Sequence, residues 1–539
     1  MYLLENPVLQ RELLVNLRML RAFVLLFLYV ALLGVLVFVA WPAERLIDLS
    51  NQREAEQLVN LFFLGQYILM SLMTPSFAAG TITGEKERRT YEMLLASPLR
   101  PGAIVLGKMV ASLCHLAVLV FASLPIVMLC LPLGGVSPWE VLATYVAMAA
   151  SVVAFGMICV TASSYFTRTV ASLVVSYLII LPMAMFAVLF YSIASEWPEF
   201  RLWMLGIFFP AGCLGLCVAL FITTTRRLLH PPDIGAEAQD VVDPDLEQKQ
   251  AVGMVIRSDQ FPDKLFAPPK RVDLMADRAN PVYDKEMRSE LFGQGTLMLR
   301  LVIQLSMFLA LPMMAVCLYM QAEWAPWYTA YVMLFNMLVG PVFSAGAITN
   351  ERERQTLELL LTTTVSPWQI LSGKMLAGLR ISTVLTSFLV WPLLLSWLLP
   401  PWTYWNDTIT MIGYLAIITL TCLTTSTMAM FCSVIFRKTS VAMMTTYLAI
   451  IVLFAVPLAV DLFAQMFFGD ATATLWIHQF TFTSPFAAAG ALPLSLGEIP
   501  RLANWPVFFA FLGFYAAIDL TLLCLILWLF KVRWRVRSQ

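Results

Sequence analysis

The chain has 539 residues, 60% of them apolar and 13% charged, and its formal net charge is zero. Soluble domains run at about 45–50% apolar and about 25% charged; here the excess is gathered into long blocks, which excludes a soluble globular fold in favour of a membrane-embedded one. The balanced charge leaves no basic surface for a nucleic-acid partner.

The first 21 residues are polar and carry Glu5, Arg11, Glu12, Arg18 and Arg21. The apolar run 22–40 that follows is too long for the core of a signal peptide and reads as an uncleaved first span. A crossing helix needs roughly 20 apolar residues. Twelve such stretches are expected, at about 22–40, 57–79, 103–132, 139–166, 170–192 and 203–225, then at about 297–320, 327–347, 369–399, 408–436, 440–465 and 505–530. The third and ninth are the longest, and Pro125 and Pro392 stand where kinks are expected. With both ends inside, only Arg45, Arg53, Arg201 and Arg501 of the 34 basic residues fall in outer loops. The positive-inside rule therefore places both termini in the cytoplasm; the expected location is the cell (inner) membrane. The expected fold is an all-α polytopic membrane protein of about twelve transmembrane helices, in two parallel six-helix repeats. Residues 1–225 form the first unit and 280–539 the second. Between them 226–279 is a cytoplasmic linker, with Pro231-Pro232, Pro268-Pro269 and scattered acids, expected to be partly disordered.

The repeat is direct. Gly80–Leu113 (GTITGEKERRTYEMLLASPLRPGAIVLGKMVASL) and Gly346–Leu379 (GAITNERERQTLELLLTTTVSPWQILSGKMLAGL) are identical at 17 of 34 positions without a gap. Asn6-Pro7 matches Asn280-Pro281, Phe166 and Thr169 match Phe436 and Thr439, and Tyr177 matches Tyr447. Two six-span copies share one orientation, so the repeat axis lies along the membrane normal.

The most informative stretch follows the second and eighth spans. From Glu85 the residues suit one helix with acids near its start, an apolar side from Met93, Leu94, Leu95 and Leu99, and a stop at Pro98 and Pro101, or at Pro367 in the second copy. An interfacial helix lying on anionic lipid would be dominated by Lys and Arg. Each copy instead keeps three acids, Glu85, Glu87 and Glu92 or Glu351, Glu353 and Glu358. That balance favours docking to a cytoplasmic protein.

Other chemistry is sparse. Gly102 to Lys108 reads GxxxxGK, but Met109 stands where a P-loop needs Ser or Thr, and the second copy has Trp368 in place of the first Gly. No nucleotide, metal or other cofactor site is expected on this chain, and no catalytic constellation. The nine cysteines lie in apolar stretches without a CxxC pair, and His115, His230 and His478 are far apart. Asp461 and Asp519 are the clearest acids inside spans, and intramembrane carboxylates are candidates for the pathway or its gate. The outer loop 466–504 is much longer than its counterpart 193–202.

The pattern G-E-x-E-R-x-T-x-E-x-L-L, then a proline, then G-K opening the next span, resembles the ABC type-2 exporter permeases. Asn-Pro followed by a charged amphipathic stretch before a first span is similar to that family's connecting helix. The resemblance implies a permease subunit without enzymatic activity, lining the translocation pathway of an ATP-driven exporter. It implies a separate cytoplasmic ABC ATPase, in two copies, which would hold the ATP and Mg²⁺; the other partner is the lipid bilayer. Carried over position by position, Glu85, Glu87, Arg88 and Glu92, with Glu351, Glu353, Arg354 and Glu358, are the coupling residues. It further implies short re-entrant elements in 466–504. Family subunits ordinarily have six spans and pair with a second copy, whereas here two copies are fused and differ, at Arg89/Gln355 and Pro98/Thr364 among others. Two other readings compete. A secondary transporter of the major-facilitator type also has two parallel six-span halves, but its charged loop is shorter and carries an Asp-Arg-x-Gly-Arg run absent here. A non-transport membrane complex or membrane enzyme would need polar catalytic groups at the membrane face.

Overall fold

A computed structural model of the chain describes residues 52–130, 137–166, 169–193, 197–229, 280–288, 296–320, 324–353, 355–398, 407–468, 477–492, 494 and 504–534, with isolated helical positions between 9 and 31. The expected first span at 22–40, nearly all of the linker 226–279 and Arg354 lie outside the described residues. Two compact units form, Met1–Val255 with Leu297–Leu299, and Ile256–Thr296 with Arg300–Gln539.

The first unit contains α1 (Gln52–Ala78), two short helices α2 (Thr83–Glu87) and α3 (Tyr91–Leu95), α4 (Pro101–Cys130), α5 (Pro138–Tyr165), α6 (Thr169–Ile193), α7 (Pro198–Trp203) and α8 (Phe209–Leu229), with a π turn at Met204–Phe208 joining the last two. The second contains α9 (Pro281–Arg288), α10 (Thr296–Met314), α11 (Ala325–Glu353), α12 (Leu357–Leu361), α13 (Pro367–Leu398), α14 (Thr408–Ile435), α15 (Thr439–Ile450), α16 (Val456–Phe468), a 3₁₀ turn Phe480–Thr483, α17 (Pro485–Gly490) and α18 (Trp505–Trp534). Among the described residues ten helices are long and apolar enough to cross a membrane. Of the two other expected spans, the first is not described, and the seventh holds a shorter apolar helix, Ile303–Leu318. Both long helices, α4 and α13, run through Pro125 and Pro392 without a break. Helices bond most of their backbone groups internally, so this all-α build meets the demand that lipid makes on the main chain.

One helix organises each unit. α5 packs against α1, α4, α6 and α8, and α14 packs against α11, α13, α15 and α18. Both are rich in small residues on their buried sides, Ala147, Ser151, Ala154 and Ser163 in α5, and Gly413, Thr421, Thr425 and Ala429 in α14. Small side chains let membrane helices approach closely. The approach is close, since a Cβ at Gly156 would lie 2.7 Å from the Leu113 side chain and one at Gly413 2.7 Å from that of Leu492. The tyrosine echo has a shared role. Tyr177 donates to the Leu72 carbonyl at 2.9 Å, and Tyr447 to that of Leu338 at 2.7 Å, tying α6 to α1 and α15 to α11.

The long loop after α16 folds back as the 3₁₀ turn and α17, with Ala488, Ala489 and Leu492 buried. Three backbone carbonyls hold it. Tyr414 donates to Leu492 and Tyr515 to Thr483, both at 2.5 Å, and Ser484 donates to Phe454 at 2.7 Å.

Candidate coupling segments

The charged segment is not the single helix that its sequence suggests. In the first unit α2 stops at Glu87 and α3 starts at Tyr91; in the second the long span α11 continues to Glu353 and α12 starts at Leu357. The break is the same in both. Arg89 and Gln355 adopt φ of 58°. The amides of Arg89 and Thr90 bond back to the carbonyls of Lys86 and Glu85 at 3.1 and 2.9 Å, and those of Gln355 and Thr356 to Arg352 and Glu351 at the same distances. These paired bonds form a Schellman helix stop, a place normally given to glycine because only glycine enters the left-handed region without strain.

Side chains lock the stop. The Thr90 hydroxyl donates to the Glu85 carboxylate, and Thr356 to Glu351. Lys108 reaches Glu85 at 3.2 Å, and Lys374 reaches Glu351 at 3.0 Å. Both lysines are buried, so each carboxylate helps to balance a charge that is costly to bury. In the second unit Lys374 also binds Glu286 of α9 at 2.5 Å, and Lys285 lies 3.5 Å from Glu351. The G-K pair is thus a packing device. A Cβ on Gly373 would lie 2.9 Å from the Tyr283 backbone nitrogen, so this glycine lets α9 lie against α13. Asn280 caps α9, accepting from the amide of Val282 at 3.0 Å, and its own amide donates to the Gln369 carbonyl at 2.8 Å.

The neighbouring charges clamp the turn between two later spans. Lys86 donates to the carbonyls of Ser164 and Phe166 at 2.7 and 2.8 Å, at the end of α5. Arg352 donates to those of Val434 and Phe436 at 2.7 and 2.6 Å, at the end of α14. One residue on, Glu87 accepts from the amide of Thr169 at 2.7 Å, and Glu353 from that of Thr439 at 2.8 Å, at the starts of α6 and α15. Cations at a helix C-terminus and carboxylates at an N-terminus satisfy both the loose backbone groups and the helix dipole. Ser163 closes the clamp by accepting from the amides of Ile82 and Thr83 at 3.0 and 2.8 Å, and Ser433 from those of Ile348 and Thr349 at 2.9 and 3.2 Å.

The eight residues carried over from the family pattern therefore separate. Glu85 and Glu351 sit within ion pairs, and Glu87 and Glu353 cap neighbouring spans. Arg88, Glu92 and Glu358 are exposed. Beside them stand Met93, which the sequence offers only as part of an apolar side, 76% exposed, and Leu359, which it does not single out, 68% exposed. Their outward direction follows from the opposite side of each short helix, where Tyr91 and Leu357 are buried. Tyr91 packs with Ile82, Val105, Met157, Val160 and Leu228, while Leu357 packs with Ile348, Ile370, Met430, Val434 and Phe530 among others. Burial raises the Tyr91 phenol above its ordinary range and outweighs the nearby Arg227 guanidinium, so this anchor stays neutral. Lys86 and Arg352, Thr90 and Thr356, and Ser163 and Ser433 were also missed as a set. Their signal was repetition at matching positions, without any cue to which group each would meet.

The two intramembrane acids are held differently. Asp519 is buried and accepts from Thr424 at 3.0 Å and Thr427 at 2.6 Å, which ties α18 to α14. Asp461 is buried at the end of its span, where Gln465 donates to it at 2.9 Å and His478 Nδ1 lies 3.2 Å away. Among the described residues no group of three or more His, Cys, Asp or Glu could hold a metal ion.

No curated protein matches the chain. The sequence profile of the ABC-2 family transporter proteins matches it twice, over residues 7–202 and again over 199–533. With two such copies in one multi-pass, all-helical chain, the protein belongs to the ABC-2 family of transporter proteins, as a permease with both halves in a single polypeptide.

Proposed function

We propose that this chain is the pathway-forming subunit of an ATP-driven exporter in the cell (inner) membrane, with both termini cytoplasmic and two six-span units at 1–225 and 280–539. ATP and Mg²⁺ are held by a separate cytoplasmic ATPase, two copies of which dock on the segments Thr83–Leu95 and 351–361. The observation that carries this reading is the repeated presentation of one small exposed face, Glu92-Met93 and Glu358-Leu359, on backbone locked by ion pairs. A free apolar side chain beside a carboxylate, held rigidly on a cytoplasmic loop, suits a protein groove. The clamp supplies the second half of coupling, since a push on the face is delivered directly to α5–α6 and α14–α15. Asp519 and Asp461 serve in this scheme as positioning residues for the helices about the pathway and its outer gate.

The test is reconstitution of the complex with Met93→Asp and Leu359→Asp together. Each places a charge where an apolar contact is proposed. ATP hydrolysis stimulated by the permease should fall to the rate of the free ATPase, with Tm of the chain unchanged because both side chains point away from its core. Undiminished stimulation would remove the docking assignment.

A further inference from the structure

The two exposed faces share one backbone but carry different chemistry. Both follow a stop at φ 58° and both turn a buried anchor inward, so their shapes match. Before Met93 stand Arg88 and Arg89, and after its helix stands Arg100, all exposed. At the positions of Arg89 and Arg100 the second copy has Gln355 and Ser366, also exposed, so two positive charges are lost. Apolar and hydroxyl groups replace them, with Trp368 56% exposed where the first copy has Gly102, and Thr362 and Thr363 exposed near Leu359.

Building on the docking assignment above, we infer that the two faces are read by chemically unlike contacts. The first takes an apolar pocket of the ATPase rimmed by carboxylates, with Met93 as the inserted group and Arg89 and Arg100 as its charge partners. The second takes an apolar pocket filled by Leu359 and Trp368, with the exposed Glu358 at its edge and no counterpart of Arg89 or Arg100. Rim charges act mainly on encounter and on salt sensitivity, whereas apolar insertion is insensitive to screening. The fused chain thereby holds one electrostatic and one hydrophobic docking point, which is a use for fusing two copies that then diverge. Exposed Glu87 and Glu92 among the arginines make the first face a mixed-charge surface, which suits a protein better than an anionic bilayer.

The experiment uses the full chain in nanodiscs and, as probe, the ATPase that copurifies with it, expressed separately. Leu359→Asp isolates the first face and Met93→Asp the second; Leu359→Ser and Met93→Ser replace them if the acidic variants express poorly. Between about 50 and about 300 mM NaCl, Kd at the first face should weaken about tenfold and at the second less than about twofold. Adding Arg89→Gln with Arg100→Ser should abolish the salt dependence of the first face. Equal salt responses at the two faces, or a response that survives loss of both arginines, overturns the inference while leaving docking intact. Binding unchanged in the double Met93→Asp, Leu359→Asp chain would instead refute docking itself. If Arg89→Gln with Arg100→Ser alters Tm in phosphatidylglycerol nanodiscs relative to phosphatidylcholine ones, yet leaves the ATPase Kd and its salt response unchanged, the arginines serve lipid and the inference fails.

Discussion

At the scale of the residue, two side chains hold a conformation that glycine would adopt freely. Arg89 and Gln355 are the non-glycine positions of positive φ among the described residues, and they occupy the same place in each copy. For an L-residue the left-handed region costs about 1–2 kcal/mol, and such strain persists only where surrounding bonds impose it. Here those bonds are the two backbone bonds of each helix stop and the Thr–Glu–Lys lock behind it. A β-branched residue fits that region worst. Arg89→Val and Gln355→Val should each lower stability by roughly 1–2 kcal/mol beyond the cost of the corresponding Gly variant, read from denaturation in detergent. Equal stabilities of the Val and Gly variants would mean that the stop is not held in solution. The ion pairs add a second sensitivity. Glu351→Gln leaves buried Lys374 one carboxylate short, but Glu286 at 2.5 Å remains to hold it.

At the scale of the element, the charged segment works as a clamp whose jaws are backbone groups of other helices. Removing a cation there takes a charged donor away from carbonyls at a helix end. Arg352→Met should cost about 1–3 kcal/mol in stability, and Lys86→Met a similar amount. The functional signature differs from that of the docking variants, because the ATPase should still bind Arg352→Met with unchanged Kd while transport-linked stimulation falls. Loss of binding in that variant would place Arg352 on the docking face instead. A second element-level test concerns α9. Gly373→Ala brings a methyl within 2.9 Å of a backbone nitrogen, an atom that no rotamer change can move aside. The variant should separate α9 from α13, seen as faster proteolysis within 281–288 than in the native chain.

At the scale of the whole molecule, both halves follow one plan around a small-residue fourth span, yet they diverge in what surrounds it. The second unit seats a folded-back turn and α17 against α11, α14 and α18, and anchors α18 through Asp519. The first has its own device at the corresponding end, where Arg201 pairs with Glu140 at 3.2 Å beneath Tyr191. Inequality of the halves is therefore built into the interior as well as into the exposed faces of the charged segments. Two outcomes test the proposed assembly at this scale. The purified chain should bind no ATP by isothermal titration, since GxxxxGK lies inside the membrane helix α4. Single cysteines placed in the linker 226–279 and in the segment 41–51 before α1, on a cysteine-free background, should react with an impermeant maleimide only from opposite sides of sealed vesicles. Labelling of both from one side would overturn the orientation.

The sequence by itself determined the helical, membrane-embedded class and the internal repeat, and the repeat's charged loop already carried the family resemblance. Composition and 20-residue apolar blocks act locally, and duplication is visible by direct alignment. The roles within the loop were not legible. Glu85, Glu87 and Glu92 look equivalent along the chain, yet one neutralises a buried lysine from the next span, one caps a helix eighty residues away, and one faces outward. Those fates depend on which groups the later spans bring back to the loop. The expected single helix became two for a related reason, because the stop is locked by the local Thr90–Glu85 bond together with a lysine brought in from the next span, and not by helix propensity. Only the folded arrangement decided which charges hold the protein together and which remain for a partner.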